Sequence, residues 1–356
     1  MDYSLIIKIT NRCNLNCSYC YHRHDLSRNF ECSMSRDLIA QMIEGILQHN
    51  EHHAEFIWHG GEPLLMGLDT YRFIIEKQKE YNVKKLQIVN TVQTNGTMLT
   101  DEYIRFCAEN DIHIGVSIDG PFDLHASQRN TDAAEYSSIM KAIDRLNNAQ
   151  VRHGVLCVIG NQHVGQADRL FEMFREHGIR QVAFLPCLVQ ENGVMDHDLT
   201  INPKDYGQFL IDFFEQWIHG DVHGMCVRNF DDCIRFYRGK PLKTCINTNS
   251  CDRYLTVMPD GKLYLCDNFS SNDEHCVGSV QVGFDSIDTT APMRWLKSTL
   301  TLTPPSCTKC EYFAGCQSGC KYRRWVNDPA MNAGHYYCLS TKMLYHHIGQ
   351  YLRQEE

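Results

Sequence analysis

Short apolar runs and amphipathic stretches alternate through the first two thirds of the chain. Ser4–Thr10 is a β-branched apolar run that predicts a first strand. Ser35–His49 then repeats Leu38, Met42, Ile46 and Leu47 at helical spacing, behind the capping side chains of the stretch from Ser33 to Asp37. The same alternation predicts strands at Glu55–His59, Leu86–Gln93, His113–Ser117, Val155–Ile159 and Val182–Leu188. Helices are predicted at Tyr71–Tyr81, Asp101–Asn110, Tyr136–Ala149 (after a long loop), Ala167–His177 and Pro203–His219. Six β/α units in a row imply an α/β fold with parallel strands and outer helices, closed into a partial (β/α)6 barrel. In such a barrel ligands sit at the carboxyl ends of the strands. Residues 1–225 therefore read as the barrel. The periodicity dissolves over 226–244, which reads as a linker, and 245–356 as a second, cysteine-rich domain. Within it, Asp260-Gly261 marks a hairpin turn between Tyr254–Met258 and Lys262–Cys266, and Ser340–Arg353 a closing helix.

Composition narrows the function. The 356 residues suffice for a large core, and the formal charge of 34 − 43 = −9 disfavours a nucleic-acid partner. No apolar run reaches spanning length, so no membrane partner is expected. The first residues are too few and too charged for a signal peptide. Eighteen cysteines without an export signal suggest metal or clusters in the reducing cytoplasm, not a disulfide framework.

The chemistry concentrates in a few stretches. Directly after the first strand, Cys13, Cys17 and Cys20 stand at a C-x3-C-x2-C spacing. Three thiolates in so short a loop can grip three corners of a cubane iron–sulfur cluster and leave one iron open for a small molecule. A zinc loop or three reduced structural thiols are the alternatives. Strand two ends in His59-Gly60-Gly61-Glu62-Pro63, where glycines allow close backbone approach to a ligand and Glu62 offers a carboxylate. Strand three closes on Gln93-Thr94-Asn95-Gly96 and strand four on Ser117-Ile118-Asp119-Gly120-Pro121. Arg129 follows, a fork suited to a carboxylate or to a salt bridge. Near the C-terminus, Cys251-x9-Gly261-x4-Cys266 precedes Cys307-x2-Cys310-x5-Cys316-x3-Cys320 and then Cys338, with Cys245 as an eighth thiol. Eight thiols complete two [4Fe–4S] clusters, whereas a zinc ribbon at Cys307–Cys320 would leave four of them unexplained. Cys107 and Cys157 lie on apolar faces and read as core, and Cys187 reads as structural.

The cysteine loop, with Tyr19 at the aromatic position before Cys20, together with Gly60-Gly61-Glu62-Pro63, resembles the radical S-adenosylmethionine (radical SAM) enzymes. The later cysteines match the SPASM extension of that family. The resemblance implies a partial (β/α)6 radical SAM barrel, a C-terminal SPASM domain, and S-adenosyl-L-methionine with three [4Fe–4S] clusters as cofactors. It implies that Cys13, Cys17 and Cys20 bind the cofactor cluster. Cys245, Cys251, Cys266 and Cys320 would hold one auxiliary cluster, and Cys307, Cys310, Cys316 and Cys338 the other. Tyr19, Gly60, Gly61, Glu62, Asn95 and Ser117 would contact the cofactor, and Arg129 would bind its carboxylate.

Within the family the peptide-modifying branches are most similar. A precursor peptide or protein is the implied partner and flavodoxin or ferredoxin the implied electron donor. His59 and the absence of Pro after Lys8 favour a maturase that abstracts a Cβ hydrogen and cross-links a ribosomally made peptide. The alternative is an anaerobic sulfatase-maturating enzyme that converts Cys or Ser to formylglycine. Its branch resembles this chain in the cysteine spacing, in Thr94-Asn95-Gly96-Thr97 and in Asp267 after Cys266. That last resemblance makes Asp267 the catalytic base, and an adjacent anionic cluster with partial burial is expected to raise its basicity. A small-molecule alcohol dehydrogenase and a plain electron carrier are the readings from other classes.

Overall fold

The computed structural model describes residues 1–21, 32–191, 194–220 and 224–355. Six parallel strands stand side by side in chain order: β1 (Ser4–Thr10), β2 (His53–Gly60), β3 (Gln87–Thr94), β4 (Ile112–Ser117), β5 (His153–Ile159) and β6 (Gln181–Pro186). The crossovers carry α1 (Arg36–His49), α2 (Leu68–Tyr81), α3 (Asp101–Glu109), α4 (Phe122–Arg129), α5 (Ala133–Asn148) and α6 (Ala167–Glu176), and α7 (Pro203–His219) follows β6. Starts are set by side-chain caps: Ser35 accepts from Leu38 N at 3.2 Å, and Asp132 with Glu135 forms a capping box at α5. Leu5, Ile7 and Ile9 of β1, Phe56 and Trp58 of β2, and Ile39, Met42 and Ile43 of α1 share one buried core.

The parallel α/β architecture is the one the periodicity implies, but two parts differ. The long loop expected after strand four contains α4, whose residues Leu124, His125, Gln128 and Arg129 are buried. Its sequence, FDLHASQR, buries mostly polar groups, so apolar spacing does not reveal it. The stretch read as a linker is folded from its first residue. β7 (Cys226–Val227) pairs with β6, and α8 (Arg228–Tyr237) buries Phe230 and Cys233. A two-residue strand is too short for alternation to show. The C-terminal hairpin, β8 (Tyr254–Val257) and β9 (Lys262–Tyr264), turns at Gly261 (φ +88°) as expected.

That hairpin is part of the barrel sheet. β8 runs parallel to β1, pairing Ser4 with Tyr254 and Ile7 with Val257, and β10 (Cys276–Ser279) adds an antiparallel edge. The ten-stranded order is β10-β9-β8-β1-β2-β3-β4-β5-β6-β7. A helix at Ala291–Thr301 (α9) follows, then a short one at Lys321–Asn327 (α10), and Cys338–Glu355 (α11) closes the chain against α7. Tyr337 just before α11 donates to the carbonyls of Cys187 (2.8 Å) and Ile201 (3.1 Å), fastening the C-terminal region to the barrel. Among the described residues no helix is long and apolar enough to cross a membrane.

Candidate functional site

β1 delivers the cysteine loop at its carboxyl end, and the end of β2 clamps it. Gly61 N donates to Thr10 O at 2.8 Å and Glu62 N to Arg12 O at 2.7 Å. A Cβ at Gly60 would lie 2.2 Å from Thr10 O, and one at Gly61 2.1 Å from Arg12 O. The glycines are therefore required by the approach of the cysteine loop itself, beyond any ligand contact. From the other side, α4 accepts Ser18 N through Gln128 O at 2.7 Å. Burial is the main cause raising the thiols of Cys13 and Cys17, and Cys13 also feels Cys20. The three thiols are thus neighbours on one half-buried loop.

Beneath Cys17 lies a network that motif reading overlooked. Asp119, fully buried, takes Nε and Nη2 of Arg129 at 2.7 and 3.1 Å, the Tyr19 hydroxyl at 2.7 Å and Val158 N at 2.9 Å. Arg129 also lies over the Tyr19 ring, 5.5 Å from its centroid. Burial opposes ionisation of Asp119, yet the Arg129 charge and these donors outweigh it and hold the carboxyl below its ordinary range. The arginine expected to bind the cofactor carboxylate thus spends two donors on a protein carboxylate, and Tyr19 is held by the same acid.

Glu62 is likewise committed. Its carboxylate, fully buried, accepts from Leu64 N (3.0 Å), the Thr94 hydroxyl (2.7 Å) and Asn95 N (2.7 Å). Burial raises its pKa and those three bonds work against the rise. It ties the end of β2 to the end of β3. Asn95 reaches Asn14 of the cysteine loop at 2.9 Å, and Ser117 accepts from Gln93 at 3.0 Å. By register Lys8, His59, Gln93 and Ser117 share one face of the sheet.

Asp267 meets that face from the C-terminal hairpin. Its carboxylate is 2.7 Å from Nζ of the buried Lys8 and accepts the Tyr21 hydroxyl at 2.5 Å. Lys8 Nζ also lies 3.0 Å from the Tyr21 hydroxyl oxygen and 3.3 Å from His59 Nδ1. Gly60 N donates to the same His59 Nδ1 at 2.7 Å, so the ring carries its proton on Nε2. Lys8, the one charged residue of β1, thus stands directly beside the Asp267 carboxylate.

Eight further thiols gather in two groups of four. Cys266 is raised foremost by burial and then by Cys320, Cys251 and Cys245. Asp232, nearly inaccessible, positions this group by accepting from Lys243 N (2.8 Å), Thr244 N (2.9 Å) and Asn247 Nδ2 (3.0 Å) just around Cys245. Cys307, Cys310, Cys316 and Cys338 line one small cavity of about 20 Å³ with His335, Ser318 and Thr341. Burial pushes Cys316 up to about 12 and His335 down to about 3. Among the described residues no three His, Cys, Asp or Glu side chains converge on a single metal ion. One loop of three thiols and two groups of four, one around a cavity, is a donor set that fits iron–sulfur clusters. Cys107, Cys157 and Cys187 are buried.

Residues 7–174 match the model of the radical SAM superfamily. The chain is 29% identical to a cysteine-type anaerobic sulfatase-maturating enzyme of Clostridium novyi (strain NT), across 96% of this chain and 94% of the relative. It is 26% identical to a serine-type anaerobic sulfatase-maturating enzyme of Bacteroides thetaiotaomicron, across 98% and 90%. The solved structure of anSMEcpe with bound AdoMet and Cp18Cys peptide is similar with a TM-score of 0.87 at 27% identity, covering 99% of this chain and 98% of that one. Streptococcus suis SuiB bound to precursor peptide SuiA shares the fold, with a TM-score of 0.66 at 14% identity over 95% of this chain and 75% of that one. Residues 7–174 therefore carry a radical SAM domain, which implies a [4Fe–4S] cluster and S-adenosylmethionine, and the chain is an enzyme of SAM radical chemistry.

Proposed function

We propose that this radical SAM enzyme is an anaerobic sulfatase maturase, oxidising the Cβ of a Cys or Ser in a bound sulfatase-derived peptide to the aldehyde of formylglycine. The observation that carries this reading is end-to-end similarity to such maturases, 96% of this chain against 94% of the relative. It displaces the cross-linking maturase that His59 and the residue after Lys8 favour, since the likeness to SuiB, at 14% identity, speaks for the fold alone. We assign the radical chemistry to residues 1–225 and two auxiliary clusters to 245–356, with a flavodoxin- or ferredoxin-type reductant.

When bound, the cofactor and its cluster supply a 5′-deoxyadenosyl radical that takes one hydrogen atom from the substrate carbon. Cys13, Cys17 and Cys20 would hold that cluster, and the two groups of four thiols would hold clusters that accept the second electron. Around them the chain positions and protects. Glu62 and the Asp119–Arg129 pair fix the loop. Asp267, oriented by Lys8 and Tyr21, accepts the proton that leaves with that electron. Loss of a hydrogen atom, an electron and a proton from CH2–SH leaves C=S, and water then exchanges sulfur for oxygen as sulfide departs. The serine case reaches the aldehyde directly.

The test is anaerobic incubation of reduced enzyme and S-adenosylmethionine with sulfatase-derived Cys and Ser peptides. The expected product has an aldehyde that a hydrazide captures, and the Cys peptide releases sulfide. Loss of two hydrogens without hydrazide capture would instead support cross-linking. Equal 5′-deoxyadenosine formation with and without every peptide would point to a small-molecule substrate.

A further inference from the structure

The cavity around the second group of thiols contains a side chain that neither ligation nor the peptide chemistry uses. His335 is 6% exposed, its Nε2 lies 3.8 Å from Cys316 Sγ and 3.4 Å from Thr341 Oγ1, and its Nδ1 is buried without a hydrogen-bond partner among the described residues. The turn between Cys316 and Cys320 presses on the ring. Gly319 has φ +71°, and a Cβ there would stand 2.3 Å from the imidazole Cδ2. The ring's place is therefore built into the backbone that presents Cys316.

A neutral imidazole has one N–H to place. On Nδ1 that donor would remain unmade, and Nε2 would turn a lone pair toward an iron-bound sulfur. On Nε2 it meets the cysteinate, and only an acceptor is left unpaired, which interiors tolerate better than a lone donor. We propose that His335 donates Nε2–H to the Cys316 sulfur and so raises the reduction potential of the cluster held by Cys307, Cys310, Cys316 and Cys338. A hydrogen bond to a ligand sulfur stabilises the more negative, reduced cluster. The second electron of the proposed oxidation then has a more favourable acceptor. The inference rests on the reading that this group of thiols holds a [4Fe–4S] cluster.

The experiment uses the full chain with Cys13, Cys17 and Cys20 replaced by Ala, reconstituted with iron and sulfide, so that only the auxiliary clusters remain. Iron is counted and each couple followed by electron paramagnetic resonance during a redox titration. In His335→Leu one couple is expected to fall, its reduced-to-oxidised ratio at a fixed potential dropping about tenfold (59 mV for a one-electron couple). The other couple stays put, and His335→Gln, whose amide can reach the same sulfur, regains most of the shift. About eight irons with both couples unmoved in His335→Leu overturns the role of His335 alone. So does an equal shift in the Leu and Gln variants. About four irons with zinc in the parent overturns the cluster reading beneath it. If His335→Leu fails to assemble, the Gln variant decides. Parental potential supports the donor, and loss of iron in that variant too makes the ring a packing element and overturns the proposal.

Discussion

The Asp119–Arg129 pair gives the sharpest quantitative test. Both side chains are withdrawn from solvent, the carboxylate completely, and the contact is two-pronged at 2.7 and 3.1 Å. Asp119→Asn keeps the shape but leaves a guanidinium in the interior without its counter-charge. Breaking a buried pair from one side costs on the order of 3–5 kcal/mol. Arg129→Met removes the other charge and should cost a similar amount by stranding the carboxylate. The double variant, with no stranded charge, should lose no more than the worse single change, a coupling of roughly 3 kcal/mol. Urea midpoints of the metal-free chain at constant m-value measure all three. The sign of the pH effect follows from the lowered carboxyl of Asp119. Its contribution is present above the ordinary carboxylate pKa of 3.8 and is lost as pH falls through its lower folded value. Below that window parent and Asp119→Asn should therefore converge. Single variants within about 1 kcal/mol of the parent, or losses that simply add, would refute a buried, coupled pair beneath the cysteine loop.

Iron should number about twelve per chain after anaerobic reconstitution and fall to about eight when Cys13, Cys17 and Cys20 are all Ala, with cofactor cleavage abolished. Iron near four with stoichiometric zinc would defeat the auxiliary clusters. Asp267→Asn should leave iron and cofactor cleavage largely intact while product falls roughly 10²-fold, and a parental rate would remove Asp267 from the reaction. Lys8→Met, which takes the cation from Asp267, should likewise lower product formation more than cofactor cleavage in a single-turnover assay; equal losses in both would make Lys8 a strand residue only. His125, fully buried, is pushed down to about 4 mainly by burial, so the unfolded chain binds its proton first as pH drops. Stability should decline from about pH 6.5 toward pH 4, and the slope should flatten in His125→Gln; an unchanged slope would exonerate this ring.

The β/α alternation was legible because each buried strand is a compact apolar run and each helix repeats at its own period. α4 was not, since it buries His125, Gln128 and Arg129 through hydrogen bonds that no hydropathy pattern records. The family resemblance, carried by the cysteine spacing, implied the same two groups of four thiols that the folded chain brings together. Charged partners were harder to see. Asp119 is one acid in an ordinary turn sequence, and its importance comes from Arg129 and Tyr19, which approach from separate segments. Lys8 left a clue as the one charged residue in the apolar run SLIIKIT, but its partner, Asp267, lies 267 − 8 = 259 residues further along the chain. The docking of β8 onto β1 has no local signature at all, being a parallel pairing of distant segments.

That pairing decides how the protein can be divided. β1 looks like the first strand of an open barrel, yet it is an interior strand with neighbours on both sides. Cutting the chain before Tyr254 would strip one of them away and bare a β-branched edge with its amide and carbonyl row unpaired, a template for joining other chains. The isolated barrel should therefore self-associate, and a split between the halves is better rescued by supplying the hairpin in trans than by trimming loops. Evolutionary exchange of the C-terminal region meets the same constraint. A replacement must bring its own strand in register with Ser4–Ile7, or the sheet that carries the cysteine loop is left open.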